Sequence, residues 1–255
     1  MIALLGSGNV AHWLAQRLRN SKEFPIAQVY SRHLDNAKEL AQKIGAQAID
    51  DLNALNPDCE VYVFSLKDDA YAEVLQSLPF ELPLAVHTAG TVSQSVFAGH
   101  ARHYGVIYPL QTFSKSMDMT DFQVSLCVER DIAGDDFDKV MRLAAELSET
   151  RYEISEAQRG VLHLAAVFAC NFSNAMACVA DGILKDSGMK LDMLMPLMQQ
   201  TLDKLKIMSP AQAQTGPAAR ADKTVMEKHI NALPTAELQT LYRSISEYIM
   251  KKCGR

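Results

Sequence analysis

The residues best suited to chemistry stand at the start of the chain, where Gly6, Gly8 and Ala11 form a G-x-G-x-x-A pattern. The pattern lies between an apolar run over 1–5 and a stretch whose apolar residues have helical spacing. In such a strand, turn and helix, the first glycine permits the turn and the second lets a pyrophosphate approach the backbone. The third small residue allows the helix to pack closely on the strand.

This pattern predicts a dinucleotide site, because the N-terminal end of a helix also attracts phosphate. An ordinary glycine turn between a buried strand and a helix is the alternative. The residues predicted to contact the cofactor at this turn are Gly6, Ser7, Gly8, Asn9, Val10 and Ala11.

The end of the second predicted strand, over 25–30, indicates which dinucleotide binds. Ser31 and Arg32 stand where an enzyme for NAD usually has Asp or Glu for the ribose 2′-hydroxyl. A guanidinium and a hydroxyl instead suit a 2′-phosphate, so NADP(H) is the predicted cofactor. The alternative is that Arg32 points to solvent and Asp35 reaches back to the ribose.

Polar residues also follow the strands predicted over 61–64 and 84–87. Because ligands of such sheets bind at the carboxyl ends of the strands, Ser65 and Lys67 are expected to meet ribose or phosphate. His87, Thr88 and Gly90 are expected near a nicotinamide ring. A solvated Lys67 and a structural His87 are the alternatives.

Candidate substrate residues lie further along the chain. Tyr108 ends a strand predicted over 105–108, and Gln111 follows it. Both are expected to line a cleft. The alternative is that this loop only buries an aromatic ring. The loop over 215–222 presents Thr215 and Arg220. Arg220 either clamps an anionic substrate or pairs with Asp222.

Three polar residues share one broad face of an otherwise apolar helix, namely His163, Asn171 and Asn174. Burying each of them without a partner would cost about 1–3 kcal/mol. They therefore either face a polar cleft, where they bind or protonate a substrate, or form a polar network in the core of a dimer.

The order of predicted elements indicates two domains. Strands alternate with helices as far as 154, which predicts an α/β domain with a mostly parallel sheet over 1–154. The rest, 155–255, is predicted to be all α-helical. Its many Met and Leu residues exceed what about 100 residues can easily hide, so we predict a homodimer through 155–252 rather than a self-contained core.

Composition excludes several classes of function. A net charge of -5 with no basic cluster argues against nucleic acid and anionic membranes as partners. Polar residues interrupt the apolar stretch 164–180, which favours a buried helix over a membrane span. Five cysteines without a C-x-x-C pair favour reduced thiols and a cytoplasmic location. The chain lacks the spacing of a metal site.

Taken together, these motifs resemble the Rossmann-like NADP oxidoreductases with a helical DUF2520 C-terminal domain. The resemblance covers nearly the whole chain, and these proteins are similar in architecture to pyrroline-5-carboxylate reductase and to F420-dependent NADP oxidoreductases. It implies a nicotinamide cofactor, a helical dimerisation domain and an active site in a cleft, but no substrate. The motifs that carry it are 6–11, 30–32, 87–90, 109–113, the helix 163–174 and the loop 215–222.

The predicted function is hydride transfer between NADP(H) and a C=O or C=N carbon of a small anionic metabolite. His163, Asn171 and Asn174 would bind or protonate the reacting group. A non-catalytic NADP(H) sensor that acts through its helical domain is the rival from another class. An S-adenosylmethionine methyltransferase is less favoured, because no acidic residue leads into the glycine turn.

Overall fold

The computed structural model describes residues 1–119, 121–129 and 135–252. The chain divides into two compact units, Met1–Ser173 and Asn174–Arg255. Residue 154, the predicted boundary, is where the last strand ends. The first unit extends beyond it because the following helix packs on the sheet, where Leu162 contacts the core cluster of Val106, Tyr108 and Cys127.

The first unit is built on one eight-stranded sheet with the order β3-β2-β1-β4-β5-β6-β7-β8. Every neighbouring pair is parallel except β6 and β7, which are antiparallel, so the predicted mostly parallel sheet is confirmed. The strands are β1 Ile2–Leu5, β2 Ile26–Tyr30, β3 Gln47–Ile49, β4 Val61–Phe64, β5 Leu82–His87, β6 Ala101–Leu110, β7 Ser125–Glu129 and β8 Arg151–Ile154.

Helices cover both faces of this sheet, which explains why its central strands are continuous apolar runs. Successive residues of a strand point to opposite faces, so Leu4 joins one core cluster with Trp13, whereas Leu5 joins the other with Tyr71. The helices of this unit are α1 Asn9–Leu18, α2 Leu34–Ile44, α3 Tyr71–Gln76, α4 Asp135–Leu147 and α5 Glu156–Ala166.

Local sequence sets the ends of several helices. Gly45 ends α2 with a φ of 72°, a left-handed conformation that favours glycine. Ser155 and Gln158 form a capping box at the start of α5, where the sequence predicts the helix to begin.

The helix that starts at α5 continues through a π-helical segment, Val167–Phe172, into α6, Ser173–Lys185. The whole run, Glu156–Lys185, is the one helix in the described ranges that is long and apolar enough to cross a membrane. The prediction that this stretch is buried was wrong, because 0% of its most apolar window is buried within the chain. The sequence predicts that the apolar face of this helix is covered. It does not show whether residues of the same chain cover it.

The second unit is helical, as predicted. Its remaining helices are α7 Met195–Lys204, α8 Pro210–Ala213, α9 Lys223–Ala232 and α10 Ala236–Lys252. The short α8 begins at Pro210, where Ser209 and Gln212 form a capping box. Among the described residues of this unit, the buried apolar ones are Ala218, Met226 and Ile230.

Candidate active site

The glycine turn has the geometry that a dinucleotide requires. Gly6 has a φ of 125°, and a Cβ there would lie 2.1 Å from the carbonyl oxygen of Ser65, so no other residue fits. At Gly8 a Cβ would meet nothing within 4 Å, which leaves open space in front of the backbone. No side chain caps α1 and no acidic residue lies in its first turn, so its N-terminal end is free to attract an anion.

A first cavity of about 360 Å³ opens beside this turn. It brings together seven of the predicted cofactor residues, namely Gly6, Ser7, Gly8, Ser31, Arg32, Ser65 and Lys67. The hydroxyl of Ser7 donates to that of Ser31 at 3.0 Å, which ties the turn to the end of β2.

The charges around the first cavity suit a phosphate group. Arg32 forms an ion pair with Glu73 at 3.7 Å, but both side chains are more than half exposed, so the pair is weak. Asn36 lines the cavity, and Asp35 does not. No carboxylate of the described lining therefore opposes a 2′-phosphate there, in contrast to the alternative in which Asp35 holds the ribose.

The structure places three other predicted cofactor residues away from this cavity. Ala11 is fully buried and serves the packing of α1 on the sheet. The side chain of Asn9 accepts a hydrogen bond from the backbone N–H of Lys115 at 3.1 Å. Val10 lines a second cavity, so the start of α1 lies between the two.

His87 requires a correction, because its side chain is fully buried and is not available to a cofactor. Its Nδ1 accepts a hydrogen bond from the backbone N–H of Ala89 at 3.2 Å, and its ring packs against Tyr71 and Phe97. Burial, together with the nearby positive charge of Arg159, lowers the pKa of His87 to about 3. His87 is therefore neutral at physiological pH and shapes the turn that follows β5.

The second cavity, of about 690 Å³, lies where β5 and β6 end and α5 passes over them. Its lining includes five of the predicted residues, namely Thr88, Tyr108, Gln111, His163 and Asn171. The rest of the lining is mostly apolar, from Leu110 and Phe113 on one side to Leu162 and Ala166 on the other.

A hydrogen bond between Tyr108 and His163 is the chemical centre of this cavity. The Tyr108 hydroxyl lies 2.9 Å from Nδ1 of His163, and the two rings meet edge to face. Burial raises the pKa of Tyr108, so the phenol keeps its proton at neutral pH. A phenol and an imidazole at this distance can pass a proton between them.

Gly90 makes room for this pair. A Cβ at Gly90 would lie 2.4 Å from Nδ1 of His163, closer than any real contact. The sequence predicts that Gly90 allows a ring to approach the backbone. The ring found there is the imidazole of His163.

A buried arginine, which sequence reasoning missed, holds the loop that contains Gly90. Arg159 donates to the carbonyl oxygens of Ala89 at 2.9 Å and Val92 at 2.8 Å, and also to the carboxylate of Glu129. Arg159 and Glu129 are at most 1% exposed. Arg159 precedes His163 by one helical turn, so it sets the distance between this loop and the imidazole.

The π-helical segment also went unpredicted. Its i→i+5 hydrogen bonds widen the helix, and such segments are frequent at functional sites. Cys170 and Asn171 both lie in it and both line the second cavity. Sequence periodicity cannot reveal the segment, because the apolar spacing of the helix is compatible with regular α-helix.

Three predicted site residues belong to the second unit. Asn174 lies in α6, on the same continuous helix as His163. Thr215 lines a separate, largely apolar cavity of about 270 Å³ in that unit. Arg220 is exposed, and the Asp222 carboxylate accepts a hydrogen bond from the N–H of Val225 as the cap of α9.

Both halves of the chain match known protein families. Residues 1–86 match the family described as NADP oxidoreductase coenzyme F420-dependent. Residues 124–249 match a domain of unknown function, DUF2520. No curated protein matches the chain.

Among solved structures, an NADP oxidoreductase-like protein of Bacteroides fragilis is 39% identical, with a TM-score of 0.91 and 98% of each chain covered. A reductive aminase of Aspergillus terreus, solved with NADPH and ethyl-5-oxohexanoate, is 16% identical with a TM-score of 0.75, over 99% of this chain and 94% of the other. A 1-pyrroline-5-carboxylate reductase of Streptococcus pyogenes is 16% identical with a TM-score of 0.65, over 98% of each chain. The last two show a shared fold.

Proposed function

We propose that this chain, which belongs to the family of NADP oxidoreductases with a DUF2520 domain, transfers a hydride between NADP(H) and a C=O or C=N carbon of a small molecule. The observation that carries the proposal is the pair of Tyr108 and His163, 2.9 Å apart in a cavity that begins at the same helix start as the glycine turn. The pair would be a proton source beside the expected position of a hydride donor, which supports the proposal.

NADP(H) is the cofactor of the family, and the first cavity fits it. Gly6, Gly8 and the start of α1 would hold the pyrophosphate. Ser31 and Arg32 would bind the 2′-phosphate, and Ser65 and Lys67 the adjoining ribose or phosphate. When bound, NADPH supplies the hydride, and Thr88 in the second cavity lies on the side proposed for its nicotinamide.

In the proposed reaction, His163 supplies the proton that the reduced group takes up. When His163 is protonated, its Nδ1–H donates to the Tyr108 oxygen, and the Tyr108 hydroxyl hydrogen can then turn toward the substrate. Asn171 orients the reacting group without a change of charge, and Gln111 provides a further polar contact. Asn174 is proposed as another such contact only from its spacing along the helix.

The assembly proposed for this function is a homodimer through the helical unit. Apolar side chains remain exposed along it in the single chain, and closed two-fold symmetry is the commonest way to cover such a surface. We also propose a cytoplasmic location, with a small-molecule substrate and without nucleic acid or membrane as partners.

The experiment that tests the function has two steps. Thermal shift and calorimetric titrations with NADPH and NADH come first, and we expect NADPH to bind more tightly. Oxidation of NADPH is then followed spectroscopically against a panel of aldehydes, ketones and imines. Equal affinity for the two cofactors would contradict the 2′-phosphate site, and a panel without turnover would contradict hydride transfer to these groups.

A further inference from the structure

None of the described residues that line the second cavity carries a permanent charge. The lining contains no Lys, Arg, Asp or Glu among the described residues. Its titratable members are Tyr108, His163 and Cys170. A carboxylate or phosphate on the substrate would therefore meet no fixed cation from this unit.

Three charged groups on α5 and on the segment after the cavity loop are engaged elsewhere. The guanidinium of Arg159 is 1% exposed and is held by Glu129 and two backbone carbonyls. Lys115, on the chain segment after the cavity loop, pairs with Glu39 at 3.8 Å. Glu156, at the start of α5, accepts a hydrogen bond from Ser93 at 2.8 Å.

The apolar part of the cavity is extensive. Phe113, which stacks on the buried Trp13, forms a rigid wall, and Leu110 adjoins it. On the helix, the lining consists of Leu162, Val167 and several alanines. Because alanine side chains are small, this side of the cavity leaves room for a ligand. Each methylene group of a ligand that is buried here should improve binding about fourfold.

From this arrangement we infer that the substrate is an uncharged carbonyl or imine compound with an apolar body, which replaces the expectation of an anionic metabolite. The inference rests on the proposed function of the site. The reacting oxygen or nitrogen would lie against Tyr108 and His163, and the apolar body against Phe113 and Leu162. A carboxylate in the same position would lose water and gain no counter-ion.

The test is a binding measurement that does not need turnover. The dissociation constants of ethyl levulinate and levulinate, and of ethyl benzoylformate and benzoylformate, are measured by calorimetry on the protein saturated with 1,4,5,6-tetrahydro-NADP, whose reduced ring is uncharged and transfers no hydride. The titrations are carried out at a pH of about 8. We expect each ester to bind at least about tenfold more tightly than its acid, because the acid must leave its carboxylate unpaired.

A matched pair of variants locates the effect in the cavity. Ala169 lines it and makes no polar contact through its side chain. Ala169→Lys should improve the binding of the acids relative to the esters by at least about tenfold. Ala169→Met, of similar length but uncharged, should leave the preference for the esters in place.

Acids that bind as tightly as the esters, or more tightly, would overturn the inference and identify a cation from outside this lining, with Arg220→Ala as the first variant to examine. Failure of both series to bind at millimolar concentration would also overturn it. If the esters bind but NADPH is not oxidised, the inference on substrate class stands and the proposed hydride transfer fails.

Discussion

The two compact units differ in how far they bury their large apolar side chains. In the first unit the central strands are buried on both sides, and Leu5 is 0% exposed. In the second unit Ile207 is 79% exposed and Leu197 is 64% exposed. The sheet of the first unit thus completes its core alone, whereas the second unit leaves apolar side chains exposed, which we propose a second copy of the chain covers.

This difference shows what an amphipathic helix pattern does and does not specify. A stripe of Leu and Met predicts that a helix face is covered, but the same stripe serves for packing within a chain or between chains. A strand in a parallel sheet differs, because its two faces are covered by the helices that its own crossover connections supply. The predictions below test this comparison.

The largest expected effect concerns the second unit. Leu197→Asp and Ile207→Asp would each place a charge in the proposed dimer interface, where an unpaired charge is strongly disfavoured. We expect each variant to raise the dimer dissociation constant at least about hundredfold, measured by light scattering and sedimentation. Gln199→Lys, on the opposite side of the same helix from Leu197, is the control and should remain dimeric. A monomer mass for the unmodified protein at micromolar concentration would refute the interface.

The next effect concerns the helix that runs from the first unit into the second. His163→Ala should lower kcat by about 10²–10⁴-fold and leave the affinity for NADPH nearly unchanged, because it removes the proton source and not the cofactor site. His163→Gln should not restore turnover. If His163 only holds structure together, both variants would instead lower the melting temperature and keep full turnover per folded protein.

Much of the first unit was predictable from the sequence because its signals are local. The bounds of β4 are as predicted, since the valines and aromatic residues at 61–64 favour a strand. The glycine turn and Arg32 were predictable for the same reason. Each role there depends on a residue type at a fixed distance from a strand end.

Other features depend on contacts between distant residues and could not be predicted. The ion pair of Arg159 with Glu129 joins positions 30 residues apart, and neither has a motif around it. His87 looked available because a strand end usually lies at the surface, but Tyr71 and Phe97 cover it. The roles of Asn174, Thr215 and Arg220 stay predictions, since they depend on how the second unit is used.

A smaller effect is expected at the end of β2, in the first unit. Arg32→Ala should weaken NADPH binding by about ten- to hundredfold, or about 1.5–3 kcal/mol, because the 2′-phosphate loses a charge-assisted contact. The affinity for NADH, which lacks that phosphate, should barely change. Glu73→Ala is the control and should not weaken NADPH binding, since Glu73 is only the exposed ion-pair partner of Arg32. An equal loss for both cofactors would point to a general defect of the cavity.

Gly90 and His163 permit a test of packing within the first unit. Gly90→Ala should destabilise the protein by about 1–3 kcal/mol, because its Cβ would lie 2.4 Å from the imidazole and force it to move. In the His163→Ala background the same change should cost much less, because the space is then vacant. Denaturant unfolding of the four proteins measures this coupling, and equal costs in both backgrounds would show that the contact is not formed.

The smallest effect is a pH dependence in the core of the first unit. The pKa of buried His87 is about 3 in the folded protein, against about 6.5 for an exposed histidine, so between these values the unfolded state binds the extra proton. Stability from this residue is therefore complete above pH of about 6.5 and falls by about 1.4 kcal/mol per pH unit below it. His87→Asn retains an acceptor for the Ala89 N–H and should remove this part of the slope between about pH 6.5 and pH 5. His33→Asn, at an exposed position, is the control and should keep this slope.

Because His87 belongs to the core of the sheet in the first unit, the slope should also be the same at low and high protein concentration. A slope that changes with concentration would mean that the first unit too is stabilised by the partner chain, and the contrast between the units would fail.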